Sequence, residues 1–231
     1  MTDRSLPSRL RLLYAGIAAV DVTLAASRRP AAHRARRFTK SLLMPTLAAG
    51  LLADPAARRS PLVRTTIAAQ TAGWCGDVSL LGDQPRDFAR GATAFAVGHG
   101  AYIAGMAPHR GRRATRAAKL IAAAWAATAP LVAVKAGRHA RYLTPILLGY
   151  SAALATTAAS ATMLGDTIPR PARQRLVAGG LAFLASDAIL GARRFLLDDA
   201  PPAMEAAVMA SYCTAQYLLA DGAARSAPAT S

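Results

Sequence analysis

The chain has 231 residues, 53% of them hydrophobic but only 6% aromatic, with a mean hydropathy of +0.25 and a formal net charge of +16. An apolar fraction made mostly of Ala, Leu, Val and Ile favours helix over strand, and charges gathered between apolar runs argue for membrane helices rather than a soluble helical protein. Such a charge would suit nucleic acid, but the arginines sit in short blocks at the ends of apolar segments, where they meet anionic headgroups, so no nucleic-acid partner is expected.

In chain order, residues 1–9 are a polar start. Leu10 to Ala26 is the first apolar run and contains Asp21. Ser27 to Lys40 is strongly basic and reads as a loop. Ser41 to Ala53 is apolar but covers only ~20 Å of a ~30 Å hydrocarbon core, so it must borrow flanking residues, with Lys40 snorkelling, or be re-entrant. Pro61 to Leu81 carries Gln70 and Asp77, and Gly91 to Ala107 carries His99. Leu120 to Val134 is short, and Tyr142 to Leu164 has no charge. Leu176 to Leu197 contains Asp187, and Ala203 to Ala220 has Glu205 near its start. The expectation is an all-α polytopic membrane protein: eight transmembrane helices in one domain over 10–222, then a disordered tail over 223–231. Basic residues divide nearly evenly between the two ends of such a bundle, giving only a weak preference for a cytoplasmic N-terminus. Asp77 then His99 with Tyr102, and Asp187 then Tyr212 with Gln216, hint at a 4+4 tandem repeat that would meet around a central site.

Two stretches carry the chemistry, Gly76-Asp77-Val78-Ser79-Leu80 and Ser186-Asp187-Ala188-Ile189-Leu190. A carboxylate at membrane depth is costly unless it is protonated, paired or facing a wet cavity, and such residues are functional by default. Low dielectric favours the neutral acid, and two neighbouring carboxylates share one proton more readily than none. One protonated and one ionised Asp suit general acid–base cleavage through an oxocarbenium-like state. The plainer alternative is a pair of packing carboxylates satisfied by Ser, Thr or Arg. His99 and Tyr102 share one helix face, as do Tyr212 and Gln216, and each pair would serve either the site or helix–helix packing. Asp21 reads as structural or interfacial near Arg28 and Arg29, Gln70 as lining a cavity, and Lys40 as snorkelling or meeting a phosphate headgroup. Cys75 and Cys213 lack metal-ligand company and read as buried free thiols. No HExxH, phosphate loop or GxSxG elbow occurs, so neither metal nor cofactor is expected.

Gly76-Asp77, Phe95-Ala96-Val97-Gly98-His99-Gly100-Ala101-Tyr102-Ile103, Phe183-Leu184-Ala185-Ser186-Asp187 and Ser211-Tyr212-Cys213-Thr214-Ala215-Gln216 together resemble the YhhN family of membrane proteins, whose animal members are lysoplasmalogenases. Order, spacing and Lys40 before the short second span fit over about residues 38–220. One departure is Lys40-Ser41-Leu42-Leu43-Met44-Pro45, where the family resemblance calls for proline directly after lysine. The resemblance implies hydrolysis of the vinyl ether bond of lysoplasmalogen-type lysolipids to a fatty aldehyde and a glycerophospho-alcohol. It makes Asp77 and Asp187 the catalytic candidates. Lys40, His99, Tyr102, Tyr212 and Gln216 would bind substrate or orient the acids. The partners expected are a lysophospholipid substrate and membrane lipids, and the location a bacterial inner membrane. Two rival readings stand beside it, a proton-coupled transporter and a purely structural or lipid-binding protein.

Overall fold

Proline sets the start of most helices here. It occupies the first or second helical position in five of the eight, where its missing N–H costs nothing and its fixed φ suits the turn. The computed structural model describes residues 5–227. In chain order it contains α1 (Leu6–Ala25), α2 (Pro30–Ala53), α3 (Val63–Ser79), α4 (Pro85–Met106), α5 (Arg116–Gly137), α6 (Leu143–Thr162), α7 (Arg170–Phe195) and α8 (Pro202–Ala224). There is no strand among the described residues, so the all-α class holds. Side chains reinforce one of these proline starts and fix a sixth: Gln84 and Asp87 form a capping box on α4, and Thr115 Oγ1 accepts from Ala118 N–H on α5.

Three expectations need correction. The basic stretch before Lys40 is not a loop. Arg and Lys are good helix formers, and Pro30 starts a continuous 24-residue α2 that carries Arg34, Arg36, Arg37 and Lys40 and passes through Pro45. The polar start is helical from Leu6, residues 1–4 lying outside the described part. The segment from 223 is not free either. α8 runs to Ala224, and Ala223, Ala224 and Ser226 are buried, while residues 228–231 lie outside the described part.

Three helices, α5, α6 and α7, are long and apolar enough to cross a membrane. Of the other five, α3 has only 17 residues and the rest are not apolar enough, yet several of their polar groups point inward. Asp21, Lys40, Asp77, His99 and Gln216 are all buried, whereas Leu13 on α1, Phe38 on α2, Val78 on α3 and Val97 on α4 are exposed. α1 packs on α2, α3 on α4, α5 on α6 and α7 on α8, and α1 also meets α8. α4 packs on α6 rather than on its chain neighbour α5, so the contact joining the two halves does not mirror the one between α1 and α8. Close helix contact relies on missing side chains: a Cβ on Gly98 would come within 3.0 Å of the Ala69 carbonyl, and one on Gly179 within 3.1 Å of the Ala215 carbonyl.

The bundle has two unlike ends. The end holding the start of α1 and the α2–α3 loop is tied shut around Asp221. This buried carboxylate meets Arg175, Arg225 (2.9 Å) and Arg11 (3.6 Å), and Arg11 also pairs with Asp54. Ser60 Oγ donates to the Ala223 carbonyl at 2.6 Å beside it. The opposite end, where the α1–α2, α3–α4 and α7–α8 loops lie, opens into a cavity.

Candidate active site

The cavity has a volume of about 480 Å³, within the range that holds a small ligand. Four elements supply its polar floor: Lys40 from α2, Asp77 from α3, Asp187 from α7 and Tyr212 from α8, joined by Tyr150 from α6. Asp77 is almost fully buried (2% exposed). The Tyr212 hydroxyl donates to its Oδ2 at 2.6 Å, and Lys40 Nζ lies 3.6 Å from its Oδ1. Asp187 is half-buried and faces the cavity. The Tyr150 hydroxyl donates to Asp187, and among the described residues no Lys or Arg lies within ion-pair distance of it. The two acids therefore share a cavity but differ in company, one beside an ammonium and one beside a phenol alone.

Aromatic rings complete the wall. Phe95 stands edge-on to Phe183 (6.2 Å between centroids) and to Tyr212 (5.9 Å), and Phe183 edge-on to Tyr212 (5.5 Å). Such edge-to-face contacts hold ring positions as well as burying area. Ser186 Oγ donates to the Val208 carbonyl at 3.0 Å, locking α7 against α8 next to Asp187. Gly76 leaves room for Phe95, since a Cβ there would lie 2.6 Å from its ring. Gly76→Ala is expected to push this ring into the cavity and cost ~1–3 kcal/mol of stability. Turnover should fall further than a thermal-melt shift alone would account for. Unchanged turnover would remove Phe95 from the working wall.

The sequence-predicted residues divide into two layers. Asp77, Asp187, Lys40 and Tyr212 line the cavity. Gln216, Tyr102 and His99 lie behind it, away from the lining. Gln216 Nε2 donates to the Tyr212 oxygen (3.4 Å) and Gln216 Oε1 accepts from the Tyr102 hydroxyl (3.0 Å), so a polar chain runs from Asp77 into the bundle. His99 Nδ1 pairs with Thr157 Oγ1 at 3.1 Å, and its ring packs on Phe183. Gln70, expected to line the cavity, is buried away from it. Asp21 has neither Arg28 nor Arg29 as partner. It is fully buried and held by Arg36 (3.4 Å) and by Thr39 Oγ1 (2.5 Å), and Arg36 also pairs with Glu205 at 2.9 Å. Cys75 is exposed rather than buried, while Cys213 is buried.

Tyr150 is the residue that sequence reasoning missed. It lies mid-way along a run without charge, and the available signal was its hydroxyl, which needs a partner at that depth. Arg36 and Glu205, which wall the cavity, were hidden by reading their surroundings as a loop and a helix start.

An all-helical bundle with three helices long and apolar enough to cross a membrane, and with two carboxylates on one cavity, sets the class of protein. The chain belongs to the YhhN family, whose model matches residues 35–223 and so most of its length. None of the curated proteins and none of the solved structures compared matches it.

Proposed function

We propose that this protein is a membrane-embedded hydrolase that cleaves the vinyl ether bond of lysoplasmalogen-type lysolipids, releasing a fatty aldehyde and a glycerophospho-alcohol. Family membership is consistent with such an activity. The observation that carries the reading is the pair of unlike aspartates on one cavity. All eight helices cross the bilayer in this reading, because several polar groups of the other five face inward while large apolar residues of α1 to α4, among them Leu13, Phe38, Val78 and Val97, are exposed.

The chemistry follows from the partners. Asp187, with no cation beside it, carries the proton and delivers it to the β-carbon of the vinyl ether. The double-bond electrons take that proton, and the α-carbon becomes an oxocarbenium ion. Asp77, whose carboxylate has Lys40 as counter-charge, takes a proton from water as the water adds to that carbon. The hemiacetal then collapses: the carbon–oxygen bond to glycerol breaks, Asp77 gives the proton it took from water to the leaving alcohol oxygen, and the hemiacetal hydroxyl proton passes to Asp187 as the aldehyde forms, so that both carboxyl groups return to their starting states. Negative charge and aromatic faces near the cation would stabilise it in a site poor in water. Tyr150 and Tyr212 hold the two carboxylates in place. Tyr150→Phe and Tyr212→Phe should each slow turnover about tenfold, the worth of one hydrogen bond made to a charged or reacting group, with little change in KM.

The test is aldehyde release from a lysoplasmalogen by the purified protein in detergent. No aldehyde from a well-folded sample would sink the reading. A proton-coupled transporter is the runner-up, and proton flux in liposomes would favour it. The ion pairs that close the far end around Asp221 weigh against it, because alternating access needs two entrances.

A further inference from the structure

The cavity mouth is more basic than the chemistry at its floor requires. Arg36 and Arg193 converge on Glu205, and Arg28 pairs with Asp199. Three other arginines on the lining, Arg34 and Arg37 of α2 and Arg194 of α7, have no carboxylate within ion-pair distance among the described residues, Asp83 and Glu205 acting on Arg194 only from farther off. All three are exposed at the opening, and the Arg194 guanidinium lies 5.0 Å from the centre of the Phe88 ring, which fixes it against the wall.

Their depth is set by helix rise. Arg37 and Arg34 stand three and six residues before Lys40, which meets Asp77, so they lie ~4.5 and ~9 Å nearer the mouth. Arg194 stands seven residues beyond Asp187, two turns along the same face and ~10 Å nearer the mouth. Arg34 and Arg194, on two separate helices, thus stand at a similar rise above Lys40 and Asp187, with Arg37 about half as far along α2. In a lysolipid, about seven bonds separate the phosphorus from the β-carbon of a vinyl ether on the far end of the glycerol. Extended, that is ~9 Å, from ordinary single-bond lengths.

We propose that Arg34, Arg37 and Arg194 form a phosphate subsite at the cavity mouth, and that the protein selects lysolipids whose phosphate lies one glycerol length from the ether. Guanidinium forks suit a phosphate better than a point charge does. The subsite anchors the headgroup at the membrane surface while the ether reaches Asp187. Its identity as a substrate site rests on the hydrolase reading above. Its existence as a phosphate site does not.

The experiment uses ligands that cannot be cleaved: a saturated 1-O-alkyl-glycerophosphate and the matching 1-O-alkylglycerol, titrated against the full chain in an uncharged detergent. Wild type should hold the phosphate-bearing lipid at least about tenfold more tightly, as charge-assisted hydrogen bonds are worth. Arg34→Gln with Arg37→Gln, and Arg194→Gln alone, should each narrow that gap and leave alkylglycerol binding unchanged. Equal affinity for the two lipids, or a gap that survives in both variants, would overturn the proposal. So would displacement of the lipid by inorganic phosphate alone at matching concentration, which marks a free-anion site. Loss of co-purified bilayer phospholipid in the variants, with the gap intact, would also overturn it, because the arginines would then serve the surrounding bilayer. In the cleavable series, a substrate with two extra methylenes between phosphate and ether should bind normally but turn over far more slowly. If wild type binds with the phosphate-dependent gap yet releases no aldehyde from any vinyl ether, the hydrolase reading fails and the phosphate subsite stands.

Discussion

Asp187→Asn is expected to lower aldehyde release by about 10² to 10⁴, the usual worth of a positioned general acid. The amide keeps the size of the carboxyl and can still accept from the Tyr150 hydroxyl, and no cation is left stranded by the change. The fold should therefore survive, with thermal melting near that of wild type. Asp77→Asn should lose a similar factor but also stability, because it leaves buried Lys40 without its counter-charge. A Lys40→Met, Asp77→Asn double variant removes both charges. It should recover melting temperature without recovering activity. Initial rates beside circular dichroism and gel filtration separate these outcomes. An Asp187→Asn protein that keeps more than about a tenth of the wild-type rate would move the acid elsewhere. Recovery of activity in the double variant would make Asp77 a structural partner of Lys40 instead of the base.

How much of this was legible in the sequence depends on what each residue opposes. Asp77 and Asp187 stand out because an apolar run has no other reason to hold an acid, and the structure brings both to one cavity. Lys40 stood out as a cation opening a short apolar run and Tyr212 by its four-residue spacing from Gln216, and the family resemblance drew both towards the site. Tyr150 was not, since a tyrosine in an apolar run looks alike whether it faces lipid, packs in the core or donates to a carboxylate. His99 and Tyr102 share a face as their spacing requires, but spacing does not say whether that face meets a cavity or the interior behind it. The second helix was misread for a different reason. Arginine breaks hydropathy without breaking helix, so a helix that begins with a charged half looks from sequence like a loop and a short apolar helix.

Arg36→Met should be among the most damaging single changes to stability. Arg36 is buried and ties α1 to α8, reaching Asp21 at 3.4 Å and Glu205 at 2.9 Å, and Glu205 is bound in turn by Arg193 at 3.1 Å. Two acids, Asp21 and Glu205, depend on this one guanidinium, and they do so unequally. Glu205 retains Arg193, whereas Asp21, with no exposed surface, keeps only the Thr39 hydroxyl. Removing one partner of a buried pair costs about 3–5 kcal/mol, mostly as the penalty of the stranded charge. That magnitude should show as a large fall in melting temperature in detergent. Asp21→Asn added to Arg36→Met should restore part of it, because an amide is far cheaper to bury than an unpaired carboxylate. Glu205→Gln, by contrast, leaves Arg36 paired to Asp21 and should cost less. If Arg36→Met melts like wild type, or if Asp21→Asn worsens it further, the charge network is not what holds α1, α2 and α8 around the cavity. The apolar packing of Leu43, Met44 and Met209 beside it would then bear that role alone.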